Sequence, residues 1–295
     1  MALTAQVAQA WKERIEAYLN KAAVFANALT NNHYEGDLKG NGTLNIVSIG
    51  EVTVGTYTGA DVTFDDLATT GITFTADQMN YFAFQVPDYI QQKSMIGLLN
   101  GGSKKAADAM VRKADDYLAS LHSTITTNVY GDDTTPITVG FDTTGGEVLP
   151  SVALAELQLL LATANADQSN VKTVVPAWLA SYLLMEFGIR NTTGGDSASK
   201  VGVNIGKLNL PPIAGFSEIW VSNNVANTAS AKYKIMAGTP ESSITYASAL
   251  EKVETGRVQA NFADFVKGLQ IYGAKIPYET QMALGTFNQG TARQS

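Results

Sequence analysis

His33 and His122 are the only imidazoles in a chain of 295 residues that has no cysteine. His33 stands near Glu35 and Asp37, a grouping that could share a proton or hold a metal ion. It sits in a Gly- and Asn-rich stretch, which is a poor platform for chemistry that needs fixed geometry. His122 falls near the end of an expected helix without acidic partners close in sequence. Gly195–Asp196–Ser197 resembles a hydrolase nucleophile turn, and Ser197 with Lys200 has a Ser-x-x-Lys spacing. That motif opens a helix where it works, and 191–200 has no helical period. Asp142–Thr143–Thr144–Gly145 misses the aspartic-protease triplet by one residue, and no second copy exists to make a carboxylate pair. Asp132, Asp133 and Asp142 offer oxygen ligands, but at no calcium-loop spacing. Neither a P-loop nor a dinucleotide-binding glycine pattern is present. Without cysteine there are no disulfides, thiolate nucleophiles or Cys-based metal sites. The expectation is therefore a protein that is not an enzyme, with no catalytic residue, cofactor or metal.

Composition points the same way. Charged residues make up 16% of the chain, against about 25% in ordinary soluble domains. Thr, Asn, Ser and Gly fill the gap. A surface poor in charge is weakly defended against association, which suits faces that neighbours cover. The net charge of −7 and the lack of any Lys/Arg run argue against sequence-specific nucleic-acid binding. Contact with DNA would be loose and non-specific. Met1–Ala10 lacks the pattern of a signal peptide, and no stretch reaches the roughly 20 apolar residues of a membrane span. Asn41–Gly42–Thr43 and Asn191–Thr192–Thr193 fit the glycosylation pattern, with nothing to indicate secretion. A soluble protein made in a reducing cytoplasm, without membrane contact, is expected.

The elements that would position any site follow from periodicity. Ala5–Leu29 has helical spacing through Trp11, Ile15, Tyr18, Leu19, Ala22 and Phe25, ending at Asn31–His33. From Thr43 the period becomes two: Leu44/Ile46, Val52/Val54, Ile72/Phe74 and Phe82/Phe84/Val86 predict strands. Between them, Gly55–Asp61 is polar and Gly-rich, with Val62 and Phe64 standing alone. This predicts a long hairpin whose tip cannot pack on its own core. Pro87 closes the strand. Tyr89–Leu99 reads as a helical piece set apart by Gly101–Gly102 from the clearest helix, Ser103–Leu121, with Ser103 as its N-cap. Gly131–Gly146 reads as a loop, Val152–Leu161 as a helix, Val171–Pro176 as a strand and Ala177–Phe187 as a helix. Asn191–Lys200 is another loop. Strands Phe216–Ser222 and Lys232–Gly238 follow, joined by the turn-rich Asn223–Ser230.

Val253–Pro277 then alternates at Val258, Ala260 and Phe262. It breaks near Asp264, and resumes with Leu269 and Ile271 on one face and Tyr272, Ala274 and Ile276 on the other. Gly268 and Gly273 mark bends or close backbone approach. Fully extended, Val266–Ile276 would span about 36 Å. Long strands without catalytic company predict a structural role.

Phe262–Ala263–Asp264–Phe265–Val266–Lys267–Gly268–Leu269–Gln270–Ile271–Tyr272–Gly273–Ala274–Lys275 resembles the carboxyl-terminal part of the major capsid proteins of tailed bacteriophages. Ile213–Phe216, Val221–Asn224, Met236–Pro240, Val174–Pro176 and Tyr81–Asp88 fit in the same order, so the resemblance covers most of the chain. It implies an α+β, Hong Kong 97-type capsid fold. The implied parts are an N-terminal arm (1–44), an extended hairpin loop (45–80), a peripheral domain with a long spine helix (81–123), an axial domain (124–250), and returning strands of the peripheral domain with a C-terminal tail (251–295).

The implied function is a major capsid protein that self-assembles into the icosahedral shell around a double-stranded DNA genome. The alternatives are an encapsulin-type cellular compartment or another phage structural protein of the tail or decoration kind. The implied partners are copies of itself in hexamers and pentamers, a portal, and a separate scaffolding protein or none, in a virion made in the host bacterial cytoplasm. Trp11, Tyr57 and Phe64, on the arm and hairpin, are the expected inter-subunit contacts. Each would bury apolar surface against a neighbour at about 25 cal/mol per Å².

Overall fold

The computed structural model describes residues 23–31, 43–49, 56, 69–190, 202–204, 207–209, 214–228, 231–259 and 262–292. The chain enters with a single turn of helix, α1 (Phe25–Ala28), and a two-residue strand, β1 (Thr30–Asn31). Of the expected helix Ala5–Leu29, only its end is described, and the backbone there turns to strand by Thr30. Strands β2 (Thr43–Ile49) and β3 (Thr69–Thr75) form an antiparallel hairpin in register from Thr43↔Thr75 to Ile49↔Thr69. The expected strand Val52/Val54 and the loop 191–200 lie outside the described residues.

Strand β4 (Gln78–Pro87) runs into helix α2 (Asp88–Ser120). This is one helix of 33 residues, where the sequence suggested two pieces divided at Gly101–Gly102. Pro87, extended at φ −64° and ψ 142°, starts it in place of Ser103. The glycines answer to packing: a Cβ on Gly102 would lie 3.1 Å from the Phe84 ring, so strand and helix approach there without a side chain between them. Ala107, Met110, Val111, Ala114 and Leu118 recur at three and four residues and are buried.

The remainder carries β5 (Val129–Tyr130), β6 (Ile137–Val139), α3 (Pro150–Thr163), β7 (Lys172–Val175), α4 (Ala177–Arg190), β8 (Gly202–Asn204), β9 (Lys207–Asn209), β10 (Glu218–Val221), β11 (Asn227–Thr228) and β12 (Lys232–Gly238). Then come β13 (Ile244–Arg257), β14 (Ala263–Lys275) and β15 (Met282–Gln289). Two stretches expected as connections hold short strands, β6 within Gly131–Gly146 and β11 within Asn223–Ser230. The break expected near Asp264 falls earlier: β13 ends at Arg257 and β14, which contains Asp264, begins at Ala263.

Two larger sheets organise the fold. One has the order β1-β13-β14-β4, with α2 against one face. The other has the path β5-β15-β12-β7-β10-β9-β8, with β11 beside β12 and β6 beside β15. Strand β15, for which the sequence suggested nothing, is central there. Six of its residues in a row, Met282–Phe287, are buried. The main core joins Leu154, Leu157 and Leu161 of α3, Leu179 and Leu183 of α4, and Ile235 and Met236 of β12. Phe25 and Leu29 of the entering segment complete it.

Candidate assembly surface

The four-stranded sheet is long, and its two faces differ. In an antiparallel ladder, residues opposite one another share a face. On the inner face, Phe82 and Val266 pack with Ala107 and Met110 of α2. On the outer face, Met79 stands opposite Ile271 and Tyr81 opposite Leu269. Tyr81 is 80% exposed and Met79 65%, which makes them large apolar side chains facing solvent. Among the described residues β4 pairs only with β14, so it is an edge. Its sequence, QMNYFAFQVP, contains no charge. Edges are usually guarded by charge or proline against further pairing, and here the only guard is Pro87 at one end. A groove of about 650 Å³ follows this edge beside α2, lined by Tyr81, Phe84, Gly102 and Lys105 among others.

One end of the outer face is already covered. Phe74 of the hairpin is fully buried with Ala247 of β13. A Cβ on Gly273 would lie 2.6 Å from the Thr75 carbonyl oxygen, so the missing side chain lets the hairpin base cross the sheet. The Lys275 ammonium donates to the Thr73 carbonyl at 2.8 Å and ties the crossing. At the other end, Glu254 lies between Lys252 and Lys267, with the Lys267 contact at 2.7 Å. Hydrogen bonds from Lys252 and then Lys267 hold its carboxyl down at about 2. The Lys267 ammonium also lies 5.6 Å from the centre of the Phe265 ring. At the turn joining β13 to β14, Phe262 is 83% exposed.

The residues singled out for catalysis gain no common site. His33, Ser197 and Lys200 lie outside the described residues. His122 Nδ1 bonds the Ala119 carbonyl at the end of α2. Asp132 accepts the Thr134 and Thr135 N–H groups, Asp133 pairs with Lys234, and Asp142 accepts from Gly145 N–H. Asp132 and Asp142 thus hold their own turns, and Asp133 ties its loop to β12. Among the described residues no group of three or more His, Cys, Asp or Glu side chains could hold a metal ion. No described helix is long and apolar enough to cross a membrane.

The expected contact residues Trp11, Tyr57 and Phe64 also lie outside the described residues. Met79, Tyr81 and Phe262 are among the exposed large apolar groups, and none of them is among the expected contacts. A signal was present: Tyr81–Phe82–Ala83–Phe84 is apolar at both parities, which marks a strand with two apolar faces. The α2 helix covers one of them.

Solved structures align with nearly the whole chain. That of Mycobacterium phage Che8 is 26% identical, covers 90% of this chain and 91% of its own, and superposes with a TM-score of 0.68. The capsid structure of cyanophage P-SCSP1u is 10% identical, covers 92% and 90%, and gives 0.62. The capsid of Ralstonia phage GP4 is 9% identical, covers 93% of each chain, and also gives 0.62. No protein-family model and no curated protein sequence matches. The architecture is that of a shell-forming α+β subunit. It is the Hong Kong 97-type fold of the major capsid proteins of tailed phages.

Proposed function

We propose that this chain is the major capsid protein of a tailed bacteriophage, and that copies of it assemble into the icosahedral shell around the double-stranded DNA genome. The observation that carries this reading is the match to the Che8 structure over nine-tenths of both chains. Apolar groups exposed on the long sheet and just before β14 support it independently. Met79, Tyr81 and Phe262 are apolar groups exposed in the single subunit, and a neighbour that covered them would remove that area from water. Many such contacts in a closed shell add up without any one being tight.

In this reading residues 1–44 are the arm, 45–80 the extended hairpin, and 81–123 the peripheral domain with α2 as spine helix. Residues 124–250 form the axial domain and β13 and β14 return to the peripheral domain, whereas β15 (Met282–Gln289), expected among the returning strands and tail, pairs with β12 in the second sheet and is assigned to the axial domain. The subunits form hexamers and pentamers joined by a portal, with a separate scaffolding protein or none. The net charge of −7 suits a wall that touches packaged DNA only non-specifically. The protein is made in the host cytoplasm and resides in the virion.

Sedimentation and electron microscopy of the purified protein test this. Capsomers or closed shells of megadalton size are expected. A strict monomer at high concentration would overturn the reading. Shells that enclose an enzyme from the same gene neighbourhood would reassign the same fold to a cellular compartment.

A further inference from the structure

One buried acid has no part in the assembly surface. Asp115 lies on the α2 helix and is only 3% exposed, beneath the segment that carries Phe25, Ala28 and Leu29. Its Oδ2 accepts the Val24 N–H at 3.1 Å, at the first turn of α1. Its Oδ1 is buried and has no hydrogen-bond partner among the described residues. A cleft of about 400 Å³ adjoins it, lined by Val24, Asp108, Arg112, Ser222 and Asn224 among others.

Among the described residues, the charged groups that face this carboxyl come from its own helix. Asp116 is next in sequence, and Arg112 and Asp108 stand one and two turns earlier. Segment 23–31 brings no titratable side chain. The turn 221–224 brings only the uncharged Ser222, Asn223 and Asn224. Arg112 donates from Nε to the Asp108 carbonyl, so it is turned along the helix. The buried carboxylate therefore has one oxygen turned to the amides at the start of α1 and the other without a partner among the described residues, and its burial penalises the charged form.

We propose that Asp115 is a proton-coupled latch: docking of segment 23–31 over the helix takes up a proton at this side chain, so the segment is held more firmly in mild acid than at neutral pH. Burial is the leading cause that raises the Asp115 pKa from 3.8 to about 6, with Asp116 adding to it. The amides of Val24, Phe25 and Ala26 pull the other way and lose. If the segment lifts, the carboxyl regains water and its ordinary pKa. The sign follows: the docked state binds the proton more tightly, so its advantage is largest below about pH 4 and disappears as pH rises through about 6. Between about pH 7.5 and about pH 5 the docking equilibrium strengthens roughly tenfold.

Native-state hydrogen exchange on the full chain tests this, with rates corrected for intrinsic chemistry. The amides of residues 27–31 should open about tenfold less often at pH 5 than at pH 7.5. Amides of Thr173–Val175 in β7 serve as the internal reference. Asp115→Asn, neutral at both values, should hold the segment with no pH dependence. Asp116→Asn should keep the dependence and move its midpoint to lower pH. Equal wild-type protection at both pH values overturns the proposal. So does a pH dependence that survives in Asp115→Asn, or an equal change in the β7 amides.

Discussion

Phe82 and Gly268 stand opposite each other in the β4–β14 ladder, and the Phe82 ring occupies the space that a side chain at 268 would need. A Cβ there would lie 2.3 Å from the ring's Cε1, on the face that packs against α2. Gly268→Ala is therefore an overpacking change in the small cluster of Phe82, Ala107, Met110 and Val266. It should cost about 1–3 kcal/mol. Urea unfolding of the unassembled variant subunit would show this as a lower midpoint with an unchanged slope.

Such glycines explain which parts of the fold were legible in the sequence. The hairpin strands, β4, β7, β12 and the helices α3 and α4 all announce themselves by period. Gly268 and Gly273 could be read as close-approach positions, and both are. Gly101–Gly102 misled, because a glycine pair looks like a helix break unless the Phe84 ring against it is known. Strand β15 was silent for a different reason. Buried on both faces, Met282–Phe287 has no alternation to detect. Of the surface, the two-sided apolar run at Tyr81–Phe84 was readable in principle, whereas the exposure of Phe262 depends on a turn placed to within a few residues.

Glu186 of α4 joins two helices of the second sheet's cover. Its Oε2 accepts the Ser151 N–H at 3.0 Å and its Oε1 the Ser151 hydroxyl at 2.5 Å, in the first turn of α3. That N–H is one of the donors that a helix start leaves unsatisfied, and the carboxylate also meets the positive end of the helix dipole. Glu186→Ala should lower stability by about 1–2 kcal/mol. Glu186→Gln, which keeps an acceptor, should lose less. Thermal melts of the two variants, run together, separate the hydrogen bond from the charge.

Lys234 and Asp133 should respond unequally to mutation. The Lys234 side chain is 7% exposed and Asp133's is 59%, at a separation of 2.9 Å. The ammonium also donates to Thr286 Oγ1 at 3.1 Å. Removing the exposed acid strands a buried charge, whereas removing the lysine leaves an acid that water can solvate. Asp133→Ala should thus be the more destabilising change, and Lys234→Met close to neutral. Chemical denaturation of both variants would check the order, and the reverse order would rule out this account.

Acid should loosen the charged end of the outer face. Lys252 and Lys267 hold Glu254 down at about 2, against an ordinary 4.5. A depressed pKa means that the folded state favours the charged form. The contribution is present above about pH 4.5 and is lost as pH falls toward 2. The carboxylate is open to water, so salt screens the contribution and its size is small. A titration of the Glu254 carboxyl carbon by NMR should show the low midpoint, and about 1 M salt should move it back toward the ordinary value.

The exposed apolar groups of the long sheet make the most direct link between this fold and a shell. Tyr81 and Phe262 contribute little to the subunit's own core, at 80% and 83% exposure. Substitution by serine should therefore change the stability of the isolated subunit by no more than about 0.5 kcal/mol. If neighbours cover these side chains in the shell, each loss recurs at every copy, and assembly should fail or require much higher protein concentration. Sedimentation of Tyr81→Ser and Phe262→Ser across a concentration series, beside melts of the same samples, separates the two effects. Shells that form at wild-type concentrations in both variants would mean that subunits meet neither at Tyr81 nor at Phe262. An equal loss of melting temperature and assembly would mean that the side chains serve the fold rather than the contact.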